Sequence, residues 1–198
     1  FEIFSGGYIG VDVFFVISGY LITTILIDDI EKEKLSIIKF YERRARRILP
    51  ALFAMLFVST IAAYALFYPS NLEDFSKSLA YVILFLSNIF FWKNTDYFAT
   101  EAELTPLLHT WSLAVEEQFY LLFPIFLILA WRFGKNRVFW MIVIMSVVSL
   151  FLSEWGWRNS SVANFYLAPS RAWELFAGSI FAFTVQKRGV QKNESLAL

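Results

Sequence analysis

Uncharged stretches long enough to cross a bilayer follow one another along this chain. Residues 8–27 form a run interrupted by one charge, Asp12, and residues 51–68 carry none. A hydrocarbon core is crossed by about 20 helical residues, so both runs are span candidates. Backbone N–H and C=O groups find no water there, which makes helices that close their own hydrogen bonds the expected form. Runs at 113–131, 138–152 and 164–186, with a shorter one at 79–92, bring the expected total to about six hydrophobic segments. The fold class expected is all-α integral membrane, a multi-span helical bundle. The chain opens on Phe1 and enters its first run without a basic leader. Residues 1–198 therefore read as a fragment of a larger domain, lacking an N-terminal span and a C-terminal part.

Composition agrees and excludes several function classes. Hydrophobic residues make up 58% and charged residues 17%, where an ordinary globular domain is about one quarter charged. Net charge is zero, and with no basic tail there is no reason to expect a nucleic-acid partner. No cysteine and a single histidine rule out a disulfide framework, a thiol nucleophile and Cys- or His-rich metal sites within this stretch. Neither a metal nor a resident cofactor is expected.

The charges gather between the apolar runs. Residues 28–50 hold seven of the 17 Lys and Arg residues, four of them in ERRARRILP, and the positive-inside rule makes this connection cytoplasmic. Arg43, Arg44, Arg46 and Arg47 admit two readings. They set topology against anionic lipid head groups, or they recognise an anion, since arginines three apart on a helix share a face and guanidinium forks match phosphate oxygens. The 14-residue run at 79–92 is too short to distinguish a span from a re-entrant or buried helix. The side of the membrane on which His109 sits depends on it, and the loop charges favour the extracytoplasmic side.

Proton-handling groups concentrate in HTWSLAVEEQFYLLFP, residues 109–124. Read as a helix capped by Ser112, this stretch places Glu116 and Glu117 near its start and lines up Tyr120 and Phe123 behind them. The carboxylates complement the helix dipole, or they are retained near hydrocarbon for pairing or function. His109, seven residues from Glu116, is a candidate partner. Arg171 and Glu174 are spaced to ion-pair along one helix face, and Asp12 suits a polar interior contact. Gly6, Gly7 and Gly10 suit helix packing, as does the Ser18–Gly19 patch. Trp140, Trp155 and Trp157 fit an interfacial belt. Residues 187–198 read as a polar loop or chain end.

In order along the chain stand GGYIGVDVFFVISGYLIT at 6–23, FYERRARRILPA at 40–51, LLHTWSLAVEEQFYLLFP at 107–124 and PSRAWELFAGS at 169–179. Together they closely resemble the acyltransferase-3 family of bacterial membrane O-acyltransferases, which acetylate lipopolysaccharide, peptidoglycan and other surface glycans. The nearest likeness is to the branch whose membrane domain precedes an extracytoplasmic SGNH hydrolase-like domain. The resemblance implies an acetyltransferase of the bacterial cytoplasmic membrane, with acetyl-CoA as donor substrate and a surface glycan as acceptor. Its arginine motif falls on Arg43, Arg44, Arg47, Ile48 and Pro50, and implies that these arginines engage acyl-CoA. Trp111, Ser112, Arg171 and Glu174 fall in motifs that imply a polar bundle interior, to which Asp12 also belongs. The family's favoured catalytic histidine belongs upstream of Phe1, which leaves His109, Glu116 and Glu117 as the visible candidates for proton handling. A transporter or flippase is the rival class. It would use the same buried charges but gives no reason for the RRxxR cluster.

Overall fold

The computed structural model describes residues 9–94 and 105–196, with side chains in the last helix as far as Gln186. Among the described residues there are eight helices: α1 (Ile9–Glu31), α2 (Ile37–Leu66), α3 (Pro69–Ile83), α4 (Ser87–Asn94), α5 (Thr110–Trp131), α6 (Lys135–Asn159), α7 (Ser161–Tyr166) and α8 (Ala168–Leu196). They fall into two compact units, Phe1–Lys34 with Glu116–Leu198, and Leu35–Val115.

Four of these helices, α1, α2, α5 and α6, are long and apolar enough to cross a membrane, where about six segments were expected. Two runs account for the difference. Residues 79–92 do not form one helix, because α3 stops at Ile83 and α4 begins at Ser87. Phe85 between them adopts a left-handed φ of 53°, and the Leu86 N–H bonds back to the Tyr81 carbonyl at 2.8 Å, a helix-terminating pattern. Residues 164–186 are likewise divided, between α7 and α8. The 29-residue α8 is long enough to cross but carries Arg171 and Glu174 in its first two turns. It also continues to Leu196, so residues 187–196, expected as a polar loop or chain end, are helical.

In the first unit α8 runs parallel to α1, matching Asp12 to Arg171 and Thr23 to Ser179 along their lengths. α6 runs the other way: Lys135 at its start meets Gln186, and Ser149 meets Pro169. α5 follows the direction of α8, with Phe119 against Phe176 and Trp131 against Phe183. Gly134, at a φ of 95°, makes the turn into α6, a conformation glycine enters without steric cost.

The α1–α8 crossing is close because two glycines leave backbone against backbone. A Cβ on Gly19 would lie 1.9 Å from the Leu175 carbonyl oxygen, and one on Gly178 would lie 2.0 Å from that of Val16. Small residues permit such approach between membrane helices, where packing and polar contacts take over from the hydrophobic effect. Gly19→Ala therefore forces α1 from α8, at an expected cost of about 3 kcal/mol. Gly10 meets nothing within 4 Å, and Gly10→Ala should stay within about 1 kcal/mol of the parent. Thermal unfolding of the full-length protein in detergent compares the two. Gly6 and Gly7 lie outside the described residues.

The second unit starts with Ser36 capping α2, its hydroxyl accepting from the Lys39 N–H at 3.4 Å. α2 passes through Pro50 without ending, so the arginine cluster stands on helix continuous with a membrane-crossing run. Phe67 at its end packs on Phe75 of α3, and Tyr81 of α3 on Phe90 of α4. The Ser87 hydroxyl donates to the Thr110 carbonyl at 3.0 Å, tying the start of α4 to that of α5.

Candidate functional site

A carboxylate in apolar surroundings is costly unless donors satisfy it. Glu116, 5% exposed in the second turn of α5, is satisfied from two helices. Its Oε1 accepts the Ser18 hydroxyl of α1 at 2.5 Å and also the Tyr120 hydroxyl one turn further along α5. Phe119 and Phe123, stacked at 4.6 Å, and Phe176, edge-on to Phe119 at 5.4 Å, form the neighbouring wall. Among the described residues no donor reaches Oε2. One oxygen is thus pinned, while the other keeps its capacity to accept a proton.

A second polar cluster lies near the starts of α1 and α8. Arg171 Nη1 donates to Asp12 Oδ1 at 2.8 Å and to Glu174 Oε1 at 2.9 Å. Its Nε donates to the Phe165 carbonyl at 3.3 Å, and the guanidinium lies 5.1 Å from the centre of the Phe165 ring. One cation therefore serves two carboxylates, and Glu174, 1% exposed, has an Oε2 that is buried without a hydrogen-bond partner. At the far end of the same helices Lys135 joins Glu31 at 2.6 Å and Gln186 at 3.4 Å. Between the two ends Thr23 donates to Ser179 at 2.8 Å, and Ser179 to the Leu175 carbonyl at 3.1 Å.

The arginines of the 43–47 cluster occupy the first turns of α2. Arg43 and Arg47 are exposed, Arg44 is half-buried, and Arg46 is engaged with Glu42 at 2.7 Å. Spacings of three and four residues put Arg43, Arg44 and Arg47 along one side of the helix. His109 is exposed, immediately before α5, and Trp111 is buried. Ser112 is not the cap expected. It lies inside α5 and its hydroxyl donates to the His109 carbonyl at 3.3 Å, so the helix begins three residues earlier and Glu116 sits nearly a turn deeper. Glu117 is half-buried beside it. Among the described residues no group of three or more His, Cys, Asp or Glu side chains could hold a metal ion.

Sequence reasoning did not pair Ser18 or Tyr120 with Glu116. Tyr120 carried a signal, since residues four apart on a helix are neighbours. Ser18 carried none beyond its place next to Gly19.

Residues 1–191 match the acyltransferase-3 family model, described as an acyltransferase domain. This chain belongs to the acyltransferase-3 family. Among its relatives is an uncharacterized protein of Haemophilus influenzae, 37% identical over 178 residues, a match covering 86% of this chain and 73% of that one. Peptidoglycan O-acetyltransferase OatA of Listeria monocytogenes is 36% identical over 188 residues, covering 90% of this chain and 30% of that protein. O-acetyltransferase OatA of Staphylococcus aureus is 39% identical over 149 residues, covering 74% and 24%. The chain thus spans less than a third of either OatA protein. No solved structure gives a significant match. Side chains of α1, α5 and α8 meet inside the first unit.

Proposed function

We propose that this chain is part of the membrane domain of an O-acetyltransferase that moves an acetyl group from acetyl-CoA to a hydroxyl of a cell-wall glycan, with peptidoglycan as the acceptor class. The observation that carries the reading is Glu116, a buried carboxylate pinned by two hydroxyls through one oxygen and open at the other. In such a transfer the acceptor oxygen attacks the thioester carbonyl, the O–H proton passes to a base, and the C–S bond breaks to release CoA as its thiol. Glu116 fits the proton-accepting part, or the orientation of a partner that takes the proton. His109 and Glu117 are the further candidates for proton handling. The α2 arginines Arg43, Arg44 and Arg47 fit the phosphates of CoA, which bidentate guanidinium contacts recognise well. Family membership and the two OatA relatives support the reaction class and a place in the bacterial cytoplasmic membrane.

Charge and helix direction support a sidedness. α1, α5 and α8 run in parallel, Lys32 and Arg132 follow the ends of α1 and α5, and α6 starts at that end with Lys135. The positive-inside rule assigns that end to the cytoplasm. Asp12 and Arg171 then belong to the opposite end, where a wall glycan would be met. The stretch has no cysteine, so it adds no background thiol to a labelling experiment. In intact cells His109→Cys should react with a membrane-impermeant maleimide, and Arg132→Cys should react only after the membrane is opened.

The test of function is transfer of labelled acetyl from acetyl-CoA to peptidoglycan by membranes containing the full-length protein. Wild type should transfer label. Arg44→Ala and Arg47→Ala should each raise KM for acetyl-CoA by about tenfold, the loss of one charge-assisted hydrogen bond of 1.5–3 kcal/mol. Failure of wild type to acetylate any wall glycan would overturn the reading. Unchanged KM in both variants would remove the arginines from the donor site.

A further inference from the structure

A serine or threonine inside a helix can satisfy its hydroxyl locally, by donating to the carbonyl three or four residues back. Many hydroxyls of the described helices do so. Thr24 donates to Tyr20, Thr60 to Leu56, Ser76 to Leu72 and Thr184 to Ile180. Buried Ser78 and Ser179 do the same with Phe75 and Leu175. Ser18 does not. At 6% exposure and in the middle of α1, it sends its hydroxyl across to Glu116, 98 residues away, at 2.5 Å.

Close backbone approaches also bracket its position. The next residue, Gly19, leaves no room for a Cβ beside the Leu175 carbonyl, and two residues before Ser18 the Val16 carbonyl leaves none for a Cβ on Gly178. Both approaches are backbone to backbone, where no side chain can turn aside to absorb a shift. α1 is therefore held against α8 on either side of Ser18, and the direction of its Cβ follows from that crossing. A hydroxyl set between two such contacts is suited to aiming a carboxylate. Tyr120, donating from one turn along the same helix as Glu116, cannot define where α5 points relative to α1, but Ser18 can.

We propose that Ser18 is a positioning residue for acyl transfer. It fixes the carboxyl plane of Glu116, so that Oε2 meets its proton donor in one orientation. The proposal rests on the reading of Glu116 as a proton-handling group. The gain is orientational: misplacing a reacting group by about 1 Å can cost on the order of 100-fold in rate.

The experiment measures kcat, and KM for acetyl-CoA, in the full-length protein with Ser18→Ala, Ser18→Thr, Glu116→Gln and the Ser18→Ala/Glu116→Gln double variant, at matched folded amount. For Ser18→Ala, kcat should fall at least tenfold with KM within twofold of wild type. Ser18→Thr, which keeps the hydroxyl, should recover most of that loss. In the Glu116→Gln background the same alanine should cost less than twofold, because two residues acting through one group are not additive. A fully active Ser18→Ala overturns the proposal while leaving acyl transfer standing, as does an additive loss in the double variant. Label bound covalently at Ser18 overturns it too, by making the serine a nucleophile. An inactive wild type overturns this proposal and the function together.

Discussion

Replacing Arg171 with methionine should destabilise the protein by about 3–5 kcal/mol, the cost of leaving a buried charge without its partner. Arg171 Nη1 holds Asp12 and Glu174 at 2.8 and 2.9 Å, and Glu174 is almost completely buried. Without the guanidinium two carboxylates would face each other across the α1–α8 crossing, and neither has another recorded ion-pair partner among the described residues. Removing the acids as well should reverse the effect. In Arg171→Met with Asp12→Asn and Glu174→Gln, most of the lost stability should return, because a buried ion cluster costs desolvation that apolar or neutral groups avoid. The measurement is thermal unfolding in detergent of the full-length protein for the single and triple variants. A single variant within about 1 kcal/mol of the parent would mean that the cluster does not hold α8 to α1. A triple variant as unstable as the single one would assign the loss to the aliphatic and ring contacts of Arg171 on Phe165 instead.

The largest effect on activity is expected at Glu116. Glu116→Gln preserves shape and leaves an amide oxygen able to accept from Ser18 and Tyr120, but it cannot take up a proton. General acid–base groups contribute roughly 10²- to 10⁴-fold. Transfer at saturating acetyl-CoA should fall within that range, with donor KM and the amount of folded protein unchanged. Glu116→Asp keeps the charge but draws the carboxylate back by one methylene, away from both hydroxyls. It should lose about 100-fold for reasons of position. If Glu116→Gln retained activity within about tenfold, the carboxylate would belong to the structural interior and not to the chemistry.

Several of these groups are legible in the sequence. The RAWEL pair is an i, i+3 contact on one helix, a local matter, and Arg171 with Glu174 appears as its spacing suggested. Asp12 was expected to find a polar interior partner, and its distance along the chain concealed which one. The start of α5 was misjudged because Ser112 looks like a cap by residue type, whereas the chain turns earlier, where Thr110 donates to the Leu107 carbonyl at 2.7 Å. The run at 79–92 is uniformly apolar, so nothing in its hydropathy shows the left-handed Phe85 that divides it. His109 was proposed as the partner of Glu116 because they are near in sequence, yet the donors on Glu116 are Ser18 and Tyr120.

The sequence by itself determined that this chain is a set of membrane helices, where the longest of them lie, and which family they belong to. The physical reason is that hydrocarbon offers no hydrogen bonds, so every backbone group must pair within its own segment and the result can be read from local composition. What only the tertiary structure decided is which polar side chains meet. Burial demands that Glu116, Asp12 and Thr23 find partners, but it does not say which. The choice of Ser18, Arg171 and Ser179, at separations of 98, 159 and 156 residues, follows from the crossing of α1 and α8. That crossing is set by the shapes of two helix surfaces at Gly19 and Gly178, which exist as facing surfaces only once both helices have formed.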